Sequence, residues 1–227
     1  MLLTSSGLTN AALIDATRGL LGGPFSEAKL AVVLTASLVT TGDKSWVLAA
    51  IDRLRALEWA GIDLVELNAG PVPLVEDRLR SADVVYVGGG NHYWLAHTIA
   101  ARGLKPLFGE LLATKVYLGE SAGSMIFTPL LTTGAAAMQD QAELDSLGIA
   151  SVEPAVDLFD WYLKPHLGSP LFPARTDEWA AERHRLLGGP AWFIDDDTAL
   201  LIRDPVDDPE VVTEGRWLRF GDSGEQA

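Results

Sequence analysis

Short apolar runs alternate with longer amphipathic ones through the first half of the chain, and this alternation constrains the fold more than any other feature. Residues 30–35, Leu-Ala-Val-Val-Leu-Thr, suit a buried strand. Residues 44–60 then place Trp46, Val47, Ala50, Ile51, Leu54, Leu57 and Trp59 at helical spacing, with Asp43 positioned to cap the helix and Gly61 to stop it. Residues 62–67 read as the next strand, 75–80 as a short helix and 83–87 as a strand. Residues 93–101 and 105–113 read as helices, and 116–118 as a strand. This β-α-β-α order predicts an α/β fold, a three-layer αβα sandwich with a mainly parallel sheet.

The pattern then loosens. Residues 132–137 and 140–154 read as loop with short helices, and 176–187 as a helix ended by Gly188-Gly189-Pro190. Residues 191–194 and 198–202 read as strands flanking Asp195-Asp196-Asp197. A final hairpin is expected over 211–219 and a loose tail over 221–227.

The strand at 116–118 runs into Gly119-Glu120-Ser121-Ala122-Gly123, and Met125-Ile126-Phe127 then opens an apolar stretch suited to a helix. Strand, Gly-x-Ser-x-Gly, helix is the arrangement of a nucleophile elbow. Small residues must flank the serine because the turn is tight. The turn pushes the hydroxyl outward, and the following N–H, that of Ala122, points at a developing oxyanion. The string alone arises by chance too often to decide the matter. A catalytic reading also needs a base, an orienting acid and a second oxyanion donor.

Composition narrows the field. A chain of 227 residues fits one domain with a large core and needs no disulfides. It has no cysteine, which excludes a thiolate nucleophile and cysteine metal sites. A net charge of −14 repels nucleic-acid phosphates and anionic membrane surfaces. The N-terminus lacks a signal-peptide pattern and no apolar run spans a bilayer. A cytoplasmic location is expected, and the tryptophans and sheet edges permit a homodimer.

The chain has four histidines. His92 and His97 lie close to the run Gly88-Gly89-Gly90-Asn91. His184, in a charged helical segment, reads as part of a solvated face. His166 follows Leu163-Lys164-Pro165 in a loop, where catalytic bases tend to be held. The glycine run directly follows a strand, so its N–H groups approach a ligand without a Cβ in the way. It suits a second oxyanion donor better than a phosphate loop, since neither G-x-G-x-x-G nor Gly-Lys-Ser/Thr is present. The three consecutive acids read as a solvated turn, a metal site without partners, or an acid that orients a histidine.

The set Val84-Val85-Tyr86-Val87-Gly88-Gly89-Gly90-Asn91, Gly119-Glu120-Ser121-Ala122-Gly123, Lys164-Pro165-His166 and Ile194-Asp195-Asp196-Asp197-Thr198-Ala199-Leu200 resembles peptidase family S51. That family contains peptidase E, the aspartyl dipeptidase, and cyanophycinase. Order and spacing match from residue 2 to about residue 203. The resemblance implies a class I glutamine-amidotransferase-like (flavodoxin-like) fold with serine as nucleophile. It implies Ser121 as nucleophile, His166 as base and Asp196 as the third member, on the position where the family usually has Glu. It implies Gly90 and Ala122 as oxyanion donors, and no metal or organic cofactor. Asp is one methylene shorter than Glu, which leaves Asp195 and Asp197 as alternatives. Asn91 and Glu120 are expected to face substrate.

Two departures concern substrate. Glu120 stands where the aspartyl dipeptidases carry tryptophan. The stretch Thr132-Thr133-Gly134-Ala135-Ala136 lacks the aspartate those enzymes have after Thr-Thr. Glu120 would repel an acidic substrate or bind an amino group, and Asp140 is a candidate replacement acid. The expected activity is a serine exopeptidase or dipeptidase acting on short peptides, not restricted to an N-terminal Asp. One rival is an α/β-hydrolase esterase with Asp157, Asp160 or Asp177 and then His184, following that fold's order of Ser, acid, His. The other is a non-catalytic amidotransferase-like binding protein.

Overall fold

The computed structural model describes residues 1–129 and 131–221. A seven-stranded sheet forms the centre, in the order β3-β2-β4-β5-β1-β8-β9. Its strands are β1 (Leu2–Thr4), β2 (Lys29–Val33), β3 (Gly61–Val65), β4 (Val84–Val87), β5 (Val116–Glu120), β8 (Thr198–Leu201) and β9 (Glu210–Thr213). From β3 through β1 every pairing is parallel, while β8 and β9 pair antiparallel. A second sheet, ordered β10-β7-β6, is built from β6 (Tyr162–Lys164), β7 (Ala191–Ile194) and β10 (Trp217–Phe220).

Apolar side chains leave both faces of the central sheet, which is why its strands read as continuous apolar runs. On one face Leu30, Val32, Val84, Tyr86 and Leu118 pack with Leu13 of α1 (Ala11–Leu21) and Leu54 of α3 (Ser45–Arg55). On the other, Ala31, Val33, Val85, Val87 and Tyr117 pack with α4 (Val72–Arg80), α5 (His92–Ala101) and α6 (Lys105–Thr114). The expected three-layer α/β fold is therefore present. The short α2 (Thr35–Leu38) follows β2. Among the described residues no helix is long and apolar enough to cross a membrane.

Several boundaries differ from expectation. α3 stops at Arg55, and the chain turns through Glu58 at φ 57° so that Trp59 Nε1 donates to Leu54 O at 3.0 Å. Gly61 opens β3 and does not end the helix. Asp43 accepts from Ser45 Oγ at 2.9 Å, and Lys44 occupies the cap. The elbow helix α7 (Ala122–Met125) is a single turn. Pro129 disfavours helical geometry in the residue before it, so the apolar stretch cannot continue as helix. The loose region folds as α8 (Leu131–Ala137) and α9 (Gln141–Ser146), and α10 (Asp177–Leu187) is capped by Thr176 and closed by Gly188 as expected.

No hairpin forms over 211–219. β9 joins β8 in the central sheet and β10 joins β7 in the second. In the link between them, the Arg216 N–H donates to Asp195 Oδ2 at 2.6 Å. The expected tail over 221–227 lies, from residue 222 on, outside the described residues.

A buried ion pair ties α9 to the second sheet. Lys164 of β6, 2% exposed, donates to Asp140 just before α9. Replacing Lys164 with Met leaves Asp140 buried without its partner. The expected cost is about 3–5 kcal/mol, read as a thermal midpoint lowered by roughly 10 °C. The double change Asp140→Leu with Lys164→Met is expected to recover most of it.

Candidate active site

β4 and β5 end side by side, and the site is assembled at their carboxyl ends, where open parallel sheets hold their ligands. The chain turns at Ser121, whose φ of 48° and ψ of −105° lie outside the ordinary wells, a strain of about 1–3 kcal/mol. The turn is pinned from both sides. Ser121 N–H donates to Thr4 O at 3.0 Å, and the N–H groups of Ser124 and Met125 donate to Ser121 O at 2.9 and 3.1 Å. Ser124 Oγ adds a bond to Thr4 O at 2.8 Å. A Cβ on Gly123 would stand 2.0 Å from Val87 O, so only glycine lets the elbow approach β4 this closely.

His166 leaves the end of β6 in the left-handed region, at φ 66°. Its N–H donates to Ser5 Oγ at 2.9 Å, and its ring stacks on Phe172 with centroids 4.7 Å apart. Nε2 lies 3.0 Å from Ser121 Oγ, and Nδ1 lies 2.6 Å from Asp196 Oδ1. A carboxylate can only accept, so Nδ1 carries the ring proton and Nε2 faces the serine hydroxyl as acceptor.

Asp196 Oδ1 also accepts from Ser5 Oγ at 2.8 Å and Ser6 Oγ at 2.7 Å. Burial alone would raise the pKa of this carboxyl. The His166 hydrogen bond, the His166 charge and the surrounding serine hydroxyls together outweigh it and hold Asp196 well below the ordinary carboxylate range. Its neighbours face elsewhere. Asp195 accepts from Thr198 Oγ1 at 2.6 Å and from the Arg216 N–H, building the turn, and exposed Asp197 bonds through its backbone, its carbonyl accepting from Asn10 Nδ2 at 2.9 Å and its N–H donating to Asp195 Oδ1 at 3.1 Å.

The glycine run passes directly beside the elbow. A Cβ on Gly89 would lie 3.3 Å from Ser121 Cβ. Gly90 has φ 129°, and a Cβ there would stand 2.2 Å from Ala36 O. Among the described residues neither the Gly90 nor the Ala122 N–H donates to a protein acceptor.

Other expected residues are occupied differently. Glu120 is 7% exposed; its Oε2 accepts from Tyr86 OH at 2.8 Å and from the Gly89 N–H at 3.3 Å. Burial pushes its pKa up. Asn91 Oδ1 caps α5 by accepting the Trp94 N–H at 2.9 Å. Asp140 is held in the pair with Lys164, so it does not replace the missing acid of the α8 segment. His184 is buried, not solvated, because its ring stacks on Phe220 with centroids 4.9 Å apart. Among the described residues His184 Nε2 has no hydrogen-bond partner, and Ser121 Oγ lies against His166, so the rival order of Ser, acid, His184 is not assembled. His92 is buried, and burial lowers its pKa to about 3.

The sequence reading missed Ser5 and Ser6. Both follow β1, whose three residues stand at the very start of the chain without a flanking pattern. The available signal was the run of three hydroxyl residues, Thr4-Ser5-Ser6, directly after the apolar Met1-Leu2-Leu3.

The sequence profile of Peptidase family S51 matches residues 1–206. The chain belongs to peptidase family S51. It is thereby a serine peptidase by family. An uncharacterized peptidase of Pasteurella multocida is 31% identical over 108 residues, a stretch covering 47% of this chain and 50% of that protein. An uncharacterized peptidase of Listeria innocua is 30% identical over 163 residues, 70% of this S51 chain and 73% of the relative. Peptidase E of Salmonella heidelberg is 26% identical over 188 residues, 82% and 76% of the two chains. Among solved structures, a peptidase E protein of Listeria monocytogenes EGD-e superimposes with TM-score 0.75 at 21% identity, over 94% of this chain and 98% of that one. At that identity the likeness is one of fold.

The depressed Asp196 pKa sets a pH dependence for this S51 protein. Its stabilisation is complete above the unfolded carboxyl value of about 4 and fades as pH falls below it. The difference in urea midpoint between the wild type and Asp196→Asn is expected to be largest above about pH 5 and to shrink in acid.

Proposed function

We propose that this protein is a serine exopeptidase or dipeptidase that hydrolyses short peptides through Ser121, His166 and Asp196. The observation that carries the reading is the continuous hydrogen-bond chain from Ser121 Oγ through His166 to Asp196. His166 Nε2 takes the hydroxyl proton as Oγ attacks the scissile carbonyl. Asp196 keeps the imidazole in the required tautomer and stabilises the imidazolium. The Gly90 and Ala122 N–H groups receive the oxyanion, each worth about 3–4 kcal/mol of barrier. The same imidazolium then protonates the leaving amine, and water attacks the acyl-enzyme by the reverse sequence.

The substrate range is broader than peptides beginning with Asp. Three features support this: the α8 segment has no acid after Thr132-Thr133, Asp140 is paired with Lys164, and Trp46 and Phe172 leave apolar surface beside the elbow and on the His166 ring. The chain acts as one domain, because Ser121 comes from the central sheet while His166 and Asp196 come from the ends of β6 and β7 in the second; its place of action on this reading is the cytoplasm.

Ser121→Ala and His166→Ala are each expected to lower peptidase kcat by about 10⁴-fold or more, and Ser121→Ala to abolish fluorophosphonate labelling. His184→Ala is expected to lower the thermal midpoint while the remaining folded enzyme keeps its kcat. Full activity in pure Ser121→Ala protein overturns the reading. In a dipeptide screen, substrates with apolar first residues are expected to be cleaved at least as fast as Asp-initiated ones; cleavage confined to Asp-initiated dipeptides would contradict the broader range.

A further inference from the structure

The acid inside the elbow has no part in the proton chain, yet it is buried beside the nucleophile. Glu120 is the last residue of β5, and its side chain lies on the same sheet face as Tyr86 and Leu118. One oxygen, Oε2, gathers two donors from β4 and the loop after it, the Tyr86 hydroxyl at 2.8 Å and the Gly89 N–H at 3.3 Å. The hydroxyl is itself seated closely. A Cβ on Gly7 would stand 2.5 Å from Tyr86 Oη, so the turn after β1 leaves the phenol no room to move that way. A cavity of ≈ 10 Å³ touches Glu120, Tyr86, Gly88 and Gly89. It holds about one water and no substrate side chain.

The segment tied down in this way carries Gly90. Gly88 is held by its N–H to Val33 O at 3.0 Å, and Asn91 by its N–H to Ala36 O at 2.9 Å. Between those anchors, Gly89 is fixed by Glu120. Three glycines in succession have a wide range of backbone conformations. An oxyanion donor must sit within a few tenths of an ångström of its working position to lower the barrier. The bond from Gly89 to Glu120 removes the freedom of the residue directly before that donor.

We propose that Glu120 is a positioning residue of the oxyanion site: through Tyr86 and the Gly89 N–H it fixes the 88–90 loop so that the Gly90 N–H faces the carbonyl attacked by Ser121. The proposal rests on the assignment of Ser121 and Gly90 made above. Glu120 touches no substrate. It acts on the transition state through the backbone it holds, so it governs kcat and leaves ground-state binding alone.

The test is steady-state kinetics on the fastest dipeptide of the screen, together with the rate of fluorophosphonate labelling. Glu120→Ala is expected to lower kcat at least tenfold and slow labelling to a similar degree, with KM within about twofold of wild type. Glu120→Gln keeps an acceptor oxygen and is expected to restore kcat to within about threefold. If Glu120→Ala fails to fold, Tyr86→Phe, which removes one of the two donors without opening a large cavity, is expected to lower kcat about threefold to tenfold with KM unchanged. Wild-type kcat in Glu120→Ala, with Ser121→Ala inactive, overturns the proposal and leaves the triad intact. A tenfold rise in KM at constant kcat also overturns it, because Glu120 then binds substrate. Full activity in Ser121→Ala overturns the triad assignment and this proposal with it.

Discussion

The placement of Leu2–Thr4 between β5 and β8 is the contact on which the rest of the site depends. Thr4 O accepts the Ser121 N–H and the Ser124 hydroxyl, so the elbow is pinned to a strand that sits inside the sheet. The next two residues leave that strand as Ser5 and Ser6 and reach the Asp196 carboxylate. Ser5 also receives the backbone N–H of His166. One short strand thereby fixes nucleophile, base and acid with respect to one another. A strand at the sheet edge could not do this, because it would have a neighbour on one side only.

The strained Ser121 backbone persists because the surroundings over-determine it. Strand register, the bonds to Ser121 O and the close approach of Gly123 to Val87 all fix the same turn. The hydrophobic core on both faces of the sheet supplies the rigidity. Among the described residues, the Gly90 and Ala122 N–H groups assigned to the oxyanion donate to no protein acceptor. That division, with strain and free donors at the strand ends and apolar packing below, lets a stable fold hold a reactive arrangement.

Much of the fold was legible because both its signals are local. β2, β4, β5 and β7 were read from apolar runs, and α5, α6 and α10 from helical spacing. The elbow, the glycine run and the Lys164-Pro165-His166 motif were visible for the same reason. What could not be read was pairing. β1 has three residues and no flank, so its central place follows only from its partners on both sides. β9 and β10 are close in sequence and read as a hairpin, yet β9 pairs with β8 in the central sheet and β10 with β7 in the second. His184 sits in a charged run but faces Phe220, because burial is decided by what packs against a helix and not by the helix alone.

The sequence by itself determined the chemistry at hand: an α/β order, a serine in a tight glycine-flanked turn, one loop histidine and a run of three acids. The periodicities of strand and helix and the steric demand for glycine are properties of neighbouring residues, and they survive without a third dimension. Only the tertiary structure decided that Asp196, and neither Asp195 nor Asp197, meets His166. It also seated the Glu120 carboxyl on the Tyr86 hydroxyl and the Gly89 N–H. These outcomes depend on distances between groups 30 to 34 residues apart along the chain, which sheet register and packing set and local sequence cannot.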